Sequence, residues 1–259
     1  MELDSARTPE AVKMDDAAIR ASYVEKAHRH GDANAVLDAA DLAQTRRGNL
    51  YYDYVSKQIL QRHLRPSGKD VLLDFGTGVG RLADFIAPSV ERIVGVDVTT
   101  EMLEIARRKT RSNVSYLLLE DGRIPVGDCV FTKALSFWVL ASISDQLLPA
   151  CLREVCRTLL PGGTFHVFEQ TMPNSTVESP LHKKRSIPEY QALFQNAGFS
   201  VLSHRHVIRH PSYGMGYWKS KTFLPKVALP LLFLIERLTI SRKPALVSYY
   251  TTAFSVGKV

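Results

Sequence analysis

The stretch Val71-Leu72-Leu73-Asp74-Phe75-Gly76-Thr77-Gly78-Val79-Gly80 constrains this chain more than any other. It reads as a buried strand carrying an acid near its end and running into a glycine-rich turn. The next residues, Arg81-Leu82-Ala83-Asp84-Phe85-Ile86-Ala87, keep apolar side chains at helical spacing. Strand, glycine turn and helix in that order build a small pocket for a nucleotide-like ligand. Glycine lets the backbone turn sharply and lets a ligand approach where a Cβ would collide. The helix N-terminus offers unpaired N–H groups to an electron-rich ligand atom.

A second strand, Arg92-Ile93-Val94-Gly95-Val96-Asp97, ends in an acid 23 positions after Asp74. A carboxylate at that tip suits the two hydroxyls of a ribose. The alternative is an Asp capping the next helix, a role that Thr99 or Thr100 could also fill. The glycines at 76, 78 and 80 depart from the dinucleotide pattern G-x-G-x-x-G, and Asp74 lies two residues before the first. An acid there repels a pyrophosphate and attracts an ammonium group. The pocket therefore suits a ligand with ribose, adenine and a cationic amino-acid tail.

With these pieces in order, the sequence resembles the class I S-adenosylmethionine (SAM) dependent methyltransferases over roughly residues 50 to 210 and a last strand near the C-terminus. The family's first motif matches Asp74 through Gly80, and its ribose acid matches Asp97. The resemblance implies SAM as cofactor, held by Asp74, Gly76, Thr77, Gly78 and Asp97, with Val98 and Met102 flanking the adenine. Asp121 and Gly122, with Glu120 beside them, match the family's adenine-edge position. Ser136 and Phe137, after the fourth strand, are expected to touch cofactor or acceptor. Thr132 stands where many relatives carry Asp, a departure from the pattern.

The implied fold is α/β: a Rossmann-like, seven-stranded, mostly parallel sheet with an antiparallel last strand. A helical N-terminal lid covers residues 1–49, the core spans 50–210, an insertion between the last two strands takes 211–247, and 248–259 form the last strand. Strands are expected near 72, 94, 117, 134 and 166, then over 200–208 and 248–256. Helices are expected over 18–30, 34–47 and 50–60. Ser186-Ile187-Pro188-Glu189 reads as a helix start, serine capping and glutamate completing a capping box. Arg46, Arg47 and Tyr52 are lid candidates beside a bland reading as a solvated helix end.

A chain of 259 residues with 45% hydrophobic and 23% charged residues can bury a proper core. Cys129, Cys151 and Cys156 are odd in number and lack zinc-ligand spacing, so reduced thiols, a cytoplasmic setting and no metal site are expected. The first twenty residues hold no apolar run that would read as a secretory signal. From Ser203 to Val259 there are nine Lys or Arg and one acid, Glu236, or +8 against +7 for the whole chain. That asymmetry fits either an anionic partner or a solvated basic face. Residues 219–243 could lie on a membrane interface, or their leucines could pack on the sheet or across a dimer.

Methyl transfer from a sulfonium is an in-line displacement that needs alignment and exclusion of water. An alcohol acceptor needs a base as well. His210 is the first choice for that base, ahead of Glu169, His182, His204, His206 and Tyr213. The tetrapeptide that marks nucleic-acid amino methyltransferases is missing, since the chain reads Ser136-Phe137-Trp138-Val139, so nucleic-acid bases are disfavoured. The expected activity is O-methylation of a small molecule or of a lipid-linked or phosphorylated sugar, with an RNA or protein methyltransferase and a non-catalytic SAM-binding module as the alternatives.

Overall fold

The computed structural model describes residues 13–37, 42–109, 111–120, 122–210, 226–240 and 249–259, backbone alone at 34, 42–48 and 226. Strands β1 (Val71–Phe75), β2 (Arg92–Asp97), β3 (Val114–Leu118), β4 (Phe131–Phe137) and β5 (Leu159–Thr171) run parallel. Strands β6 (Thr176–Ser179) and β7 (His182–Lys184) form a separate hairpin, and β8 (Phe199–His210) and β9 (Tyr249–Lys258) complete the main sheet. Its order is β3-β2-β1-β4-β5-β9-β8, with β9 antiparallel to both neighbours. The expected seven-stranded sheet with an antiparallel last strand is the one observed.

Adjacent residues of β1 and β2 serve opposite faces, and both faces are covered. Leu72 and Ile93 join one apolar cluster, Leu73 and Val94 the other. Burial on both sides is why these strands read as continuous apolar runs. The first cluster takes Tyr51, Val55 and Ile59 from α3 (Leu42–Leu64), Leu82 and Ile86 from α4 (Arg81–Ile86), and Leu103 from α5 (Thr100–Arg107). The second takes Leu152 and Val155 from α6 (Leu148–Thr158), and Tyr190 and Phe194 from α7 (Ile187–Asn196).

Ahead of the sheet lie α1 (Asp16–His30) and the short α2 (Asn34–Leu37). The helix expected over 34–47 is divided between α2 and α3, and α3 runs through the expected boundary at 49. Local apolar spacing continues across that point, so composition alone misplaced the break. The hairpin β6–β7 was not expected, because its polar strands lack a buried face. Helix α8 (Leu229–Thr239) lies within the expected insertion and packs Leu229 and Phe233 into the first cluster with Val207 and Ile208 of β8. Among the described residues no helix is long and apolar enough to cross a membrane.

The serine half of the expected capping box forms: the Ser186 hydroxyl accepts the Glu189 N–H at 3.3 Å, with Pro188 in the first turn of α7, whereas the Ser186 N–H donates to Ser175 Oγ at 2.8 Å and the Glu189 carboxylate binds Ser175 and Lys183 instead. Ser186→Ala should destabilise the fold by about 1 kcal/mol. Urea unfolding should show a lower midpoint with an unchanged slope.

Candidate active site

Each residue of the glycine turn is placed by a specific contact. Gly76 and Thr77 donate their N–H groups to the Val96 carbonyl at 2.9 and 3.0 Å, tying the turn after β1 to the end of β2. The Thr77 hydroxyl donates to Asp74 at 2.7 Å. Gly78 has φ +52°, and a Cβ there would meet Val36 of α2 at 2.7 Å. The lid thus sits directly on the turn, and only glycine fits beneath it.

Asp97 occupies the hub. One carboxylate oxygen accepts the Gly78 N–H at 2.8 Å, the other the Thr99 N–H at 3.0 Å. Each oxygen keeps a further lone pair, which suits two neighbouring hydroxyls. The capping alternative is met in part: Asp97 accepts the N–H of Thr99 ahead of α5, while the Thr99 side chain caps nothing at the start of that helix.

A cavity of about 1050 Å³ opens over this turn. That slightly exceeds the roughly 300–1,000 Å³ of small-molecule sites, leaving room for a donor and an acceptor together. Asp74, Gly76, Thr77, Gly78, Asp97, Val98, Met102 and Gly122 all line it. Asp121 falls outside the described residues. Ser136 does not line the cavity: it is fully buried within β4, where the strand turns its side chain into the protein. Its neighbours Phe137 and Trp138 form the wall instead. Thr132, the departure from the family pattern, lies at the opposite end of β4, where its hydroxyl bridges to Asp70 at 3.1 Å.

Trp138 is the feature that sequence reasoning missed. It holds a left-handed backbone, φ +57°, which a bulky side chain rarely adopts. Its N–H donates to Phe168 O at 2.9 Å and its indole N–H to Thr251 Oγ1 at 3.1 Å. The following residues are clamped by Glu169, whose Oε1 accepts the N–H groups of Val139 and Leu140, both at 2.6 Å. Arg185, fully buried, donates to the carbonyls of Leu140 and Ile143 at 2.8 Å each. Strain of this kind, roughly 1–3 kcal/mol, persists only where the surroundings fix it.

The lid helix attaches to the same loop. The Ser144 hydroxyl donates to Asp16 at 2.6 Å, and Tyr23 Oη lies 3.3 Å from Ser142 Oγ. On its other side the Asp15 N–H donates to Pro180 O, at the tip of the β6–β7 hairpin, at 2.9 Å. Asp16, Tyr23 and Val36 all line the cavity. The expected helix over 18–30 hinted at this role, but no local pattern says which side chains it aims inward. The side chains of Arg46 and Arg47 and the whole of Tyr213 lie outside the described residues.

His210 is not brought into the cavity. It is 5% exposed and its ring stacks on Tyr249 at a centroid distance of 4.3 Å. Nε2 lies 2.9 Å from Thr251 Oγ1 and Nδ1 3.5 Å from Tyr52 Oη. Burial pushes its pKa down to about 3, so the ring is neutral and a weak base. The expectation of a catalytic His210 is therefore corrected: it braces Thr251, which in turn holds the Trp138 indole. Glu169 is likewise a support of the loop, buried behind the wall and raised to about 7 by desolvation. His204 and His206 lie on the edge strand β8, and His182 faces Gln170 at 3.2 Å. Cys151 reaches the cavity, but burial raises its thiol to about 11.

The residues fit the ligand that the sequence implies. Burial lifts Asp74 to about 6 and raises Asp97 as well, so the cleft holds two carboxylates that a cation would relieve. Arg81 reaches the cavity with its Nη1 on Asp53 at 3.0 Å, while its buried Nε–H has no partner in the structure. The guanidinium offers a positive charge to the carboxylate of an amino-acid tail.

The methyltransferase domain family matches residues 72–163. The demethylmenaquinone methyltransferase of Symbiobacterium thermophilum is 30% identical over 125 residues, covering 45% of this chain and 48% of that protein. The chain spans about half the length of the curated relatives it matches. Among solved structures, the geranyl diphosphate C-methyltransferase from Streptomyces coelicolor superposes with a TM-score of 0.65 at 13% identity, covering 99% of this chain and 100% of that one. The cyclase SpnF superposes at 0.66 with 16% identity, covering 96% and 99%. At these identities the structures attest the fold.

Two outcomes test the site. Glu169→Ala leaves the N–H groups of Val139 and Leu140 unpaired and should destabilise the protein by about 2–5 kcal/mol in urea unfolding, with Glu169→Gln losing less because it keeps an acceptor. A cationic ligand favours ionised Asp74, so binding below pH about 6 must release a proton. Calorimetry in buffers of different ionisation enthalpy should show that release, and affinity should fall as pH drops from 7 to 5.

Proposed function

We propose that this chain, which belongs to the class I SAM-dependent methyltransferases, methylates a small molecule whose reacting part is flat, apolar and acidic enough to lose its own proton. The observation that carries this reading is Trp138, held left-handed at the cavity wall beside Phe137, with Tyr23 and Ile143 completing an apolar lining. SAM supplies a methyl carbon already activated by its positive sulfur.

The chain's own residues bind and orient. Asp97 would take the ribose hydroxyls, Val98 and Met102 would flank the adenine, Asp74 would face the ammonium, and Arg81 would take the tail carboxylate. Helix α1 closes over them and keeps water out, held by Asp16 on Ser144. Among the described residues that line the cavity there is no histidine. Tyr23 Oη engages Ser142, and burial raises its pKa, so it stays protonated. These groups suit an acceptor such as a phenol, a hydroquinone or an enol better than a sugar alcohol, which needs a base to take its proton. The relatives named demethylmenaquinone methyltransferases support an acceptor of this kind. The reading replaces a sugar with an acidic ring and leaves open whether oxygen or carbon receives the methyl group.

Incubation with SAM and a panel of hydroquinones, phenols and sugar alcohols should yield S-adenosylhomocysteine with the first two classes and little with the third. Faster turnover of sugars would overturn the acceptor assignment, and turnover of RNA alone would move the chain to the nucleic-acid class. Asp97→Ala should weaken SAM binding by about 1–3 kcal/mol in calorimetry, as for a lost charged hydrogen bond.

A further inference from the structure

We propose that the outward face of α8 docks on an anionic lipid bilayer. The helix has two apolar faces, and only one is used inside the protein. Leu229, Phe233 and Glu236 point inward, each at most 7% exposed. Phe233 meets the Tyr54 ring edge-on at 6.2 Å, and Glu236 Oε1 accepts the Arg209 N–H at 3.0 Å with Arg209 Nε 3.7 Å away. At 3.6 residues per turn, positions 231, 234 and 238 then fall on the opposite side. Leu231, Leu234 and Leu238 are 59%, 45% and 69% exposed, and Val227, one turn ahead, is 81% exposed. Single exposed leucines are ordinary, but these three share one face of α8, with Val227 just ahead of it, and the inner contacts of the helix stop it from rolling.

Charge selects the occupant. Between Ser203 and Val259 the only acidic side chain is Glu236, which is the one turned inward. Among the described residues of that stretch, Arg209 is buried against Glu236, which leaves the exposed Arg205 and Arg237 with no acidic side chain of their own segment beside them. Arg237 follows the stripe and is exposed, as is Arg205 on the neighbouring strand β8. An apolar stripe in basic surroundings matches acyl chains bordered by anionic headgroups. The same surface disfavours a second copy of this chain, since pairing would set like charges against each other. Eleven residues make a helix about 16 Å long, which lies along an interface rather than spanning it.

The inference goes beyond the acceptor reading, and vesicle binding is measured without turnover, so either can fail alone. The full chain is floated with phosphatidylcholine vesicles, with and without phosphatidylglycerol. Binding should be at least about tenfold stronger to the anionic vesicles and should fall as salt rises. Leu231→Glu combined with Leu234→Glu should reduce the partition coefficient about tenfold while SAM affinity in calorimetry stays unchanged. Arg237→Glu, a milder surface change, should reduce it about threefold. Absence of binding to anionic vesicles, equal binding by wild type and variants, or a dimer in sedimentation that the leucine variants dissolve would overturn the proposal.

Discussion

Two fully buried ionisable side chains, Glu169 and Arg185, organise the reacting half of the molecule. They do not pair chiefly with each other. Glu169 takes the N–H groups of the loop after β4, and Arg185 takes its carbonyls. Buried backbone groups of a loop need such partners, since water does not reach them. With both sides of the backbone satisfied from below, the loop can hold Trp138 in a left-handed conformation and present Ser142 and Ser144 upward to the lid. The wall of the cavity and the attachment of its cover therefore rest on one set of buried contacts. Removing either side chain would leave a charge or several amides stranded, which explains why a polar pair is kept in an apolar setting.

The cofactor half is organised differently, by backbone geometry and two lifted carboxylates. Asp74 and Asp97 sit where burial disfavours their charge, and the N–H donors of Gly78 and Thr99 only partly offset it at Asp97. An electron-rich ligand would worsen that imbalance, whereas a donor carrying ammonium and sulfonium charge relieves it. A cleft lined by two such carboxylates suits a cationic nucleoside better than a dinucleotide. Arg81 keeps the region from becoming wholly anionic, its guanidinium being shared with Asp53 of α3.

The parts legible in the sequence are those with a short-range physical cause. Strand β1, the glycine turn and Asp97 could be read because each needs particular residue types within a few positions of one another. Ser186 could be read because a cap acts on the N–H three residues ahead. Ser136 and His210 could not be placed, since the direction of a strand residue depends on register, and a residue at a sheet's carboxyl edge can face the cavity or the packed layer. β8 shifts register against β9 between His206 and Ile208, which sequence alternation does not reveal. The partners of Trp138 come from β5 and β9, 30 and 113 positions away, so no local pattern announces them. The β6–β7 hairpin escaped for a related reason: its tip meets the lid through the backbone at Pro180, and its strands bury too little to leave an alternating pattern.

This division bears on how chemistry is assigned in such a fold. The cradle built from β1 and β2 fixes a donor by backbone shape, and a structural neighbour named as a cyclase shows that the same architecture is compatible with a different chemical outcome. What distinguishes one reaction from another must then lie in the loop after β4, the lid and the far edge of the sheet. In this chain those elements supply aromatic surface and hydrogen bonds to backbone, and among the described residues no histidine lines the cavity. On the acceptor reading proposed above, a site that offers alignment with little proton transfer places the demand for acidity on the acceptor itself. Acidity of that degree is carried by rings and enols rather than by saturated alcohols, and such acceptors are also the ones that an apolar wall can hold flat against a methyl donor.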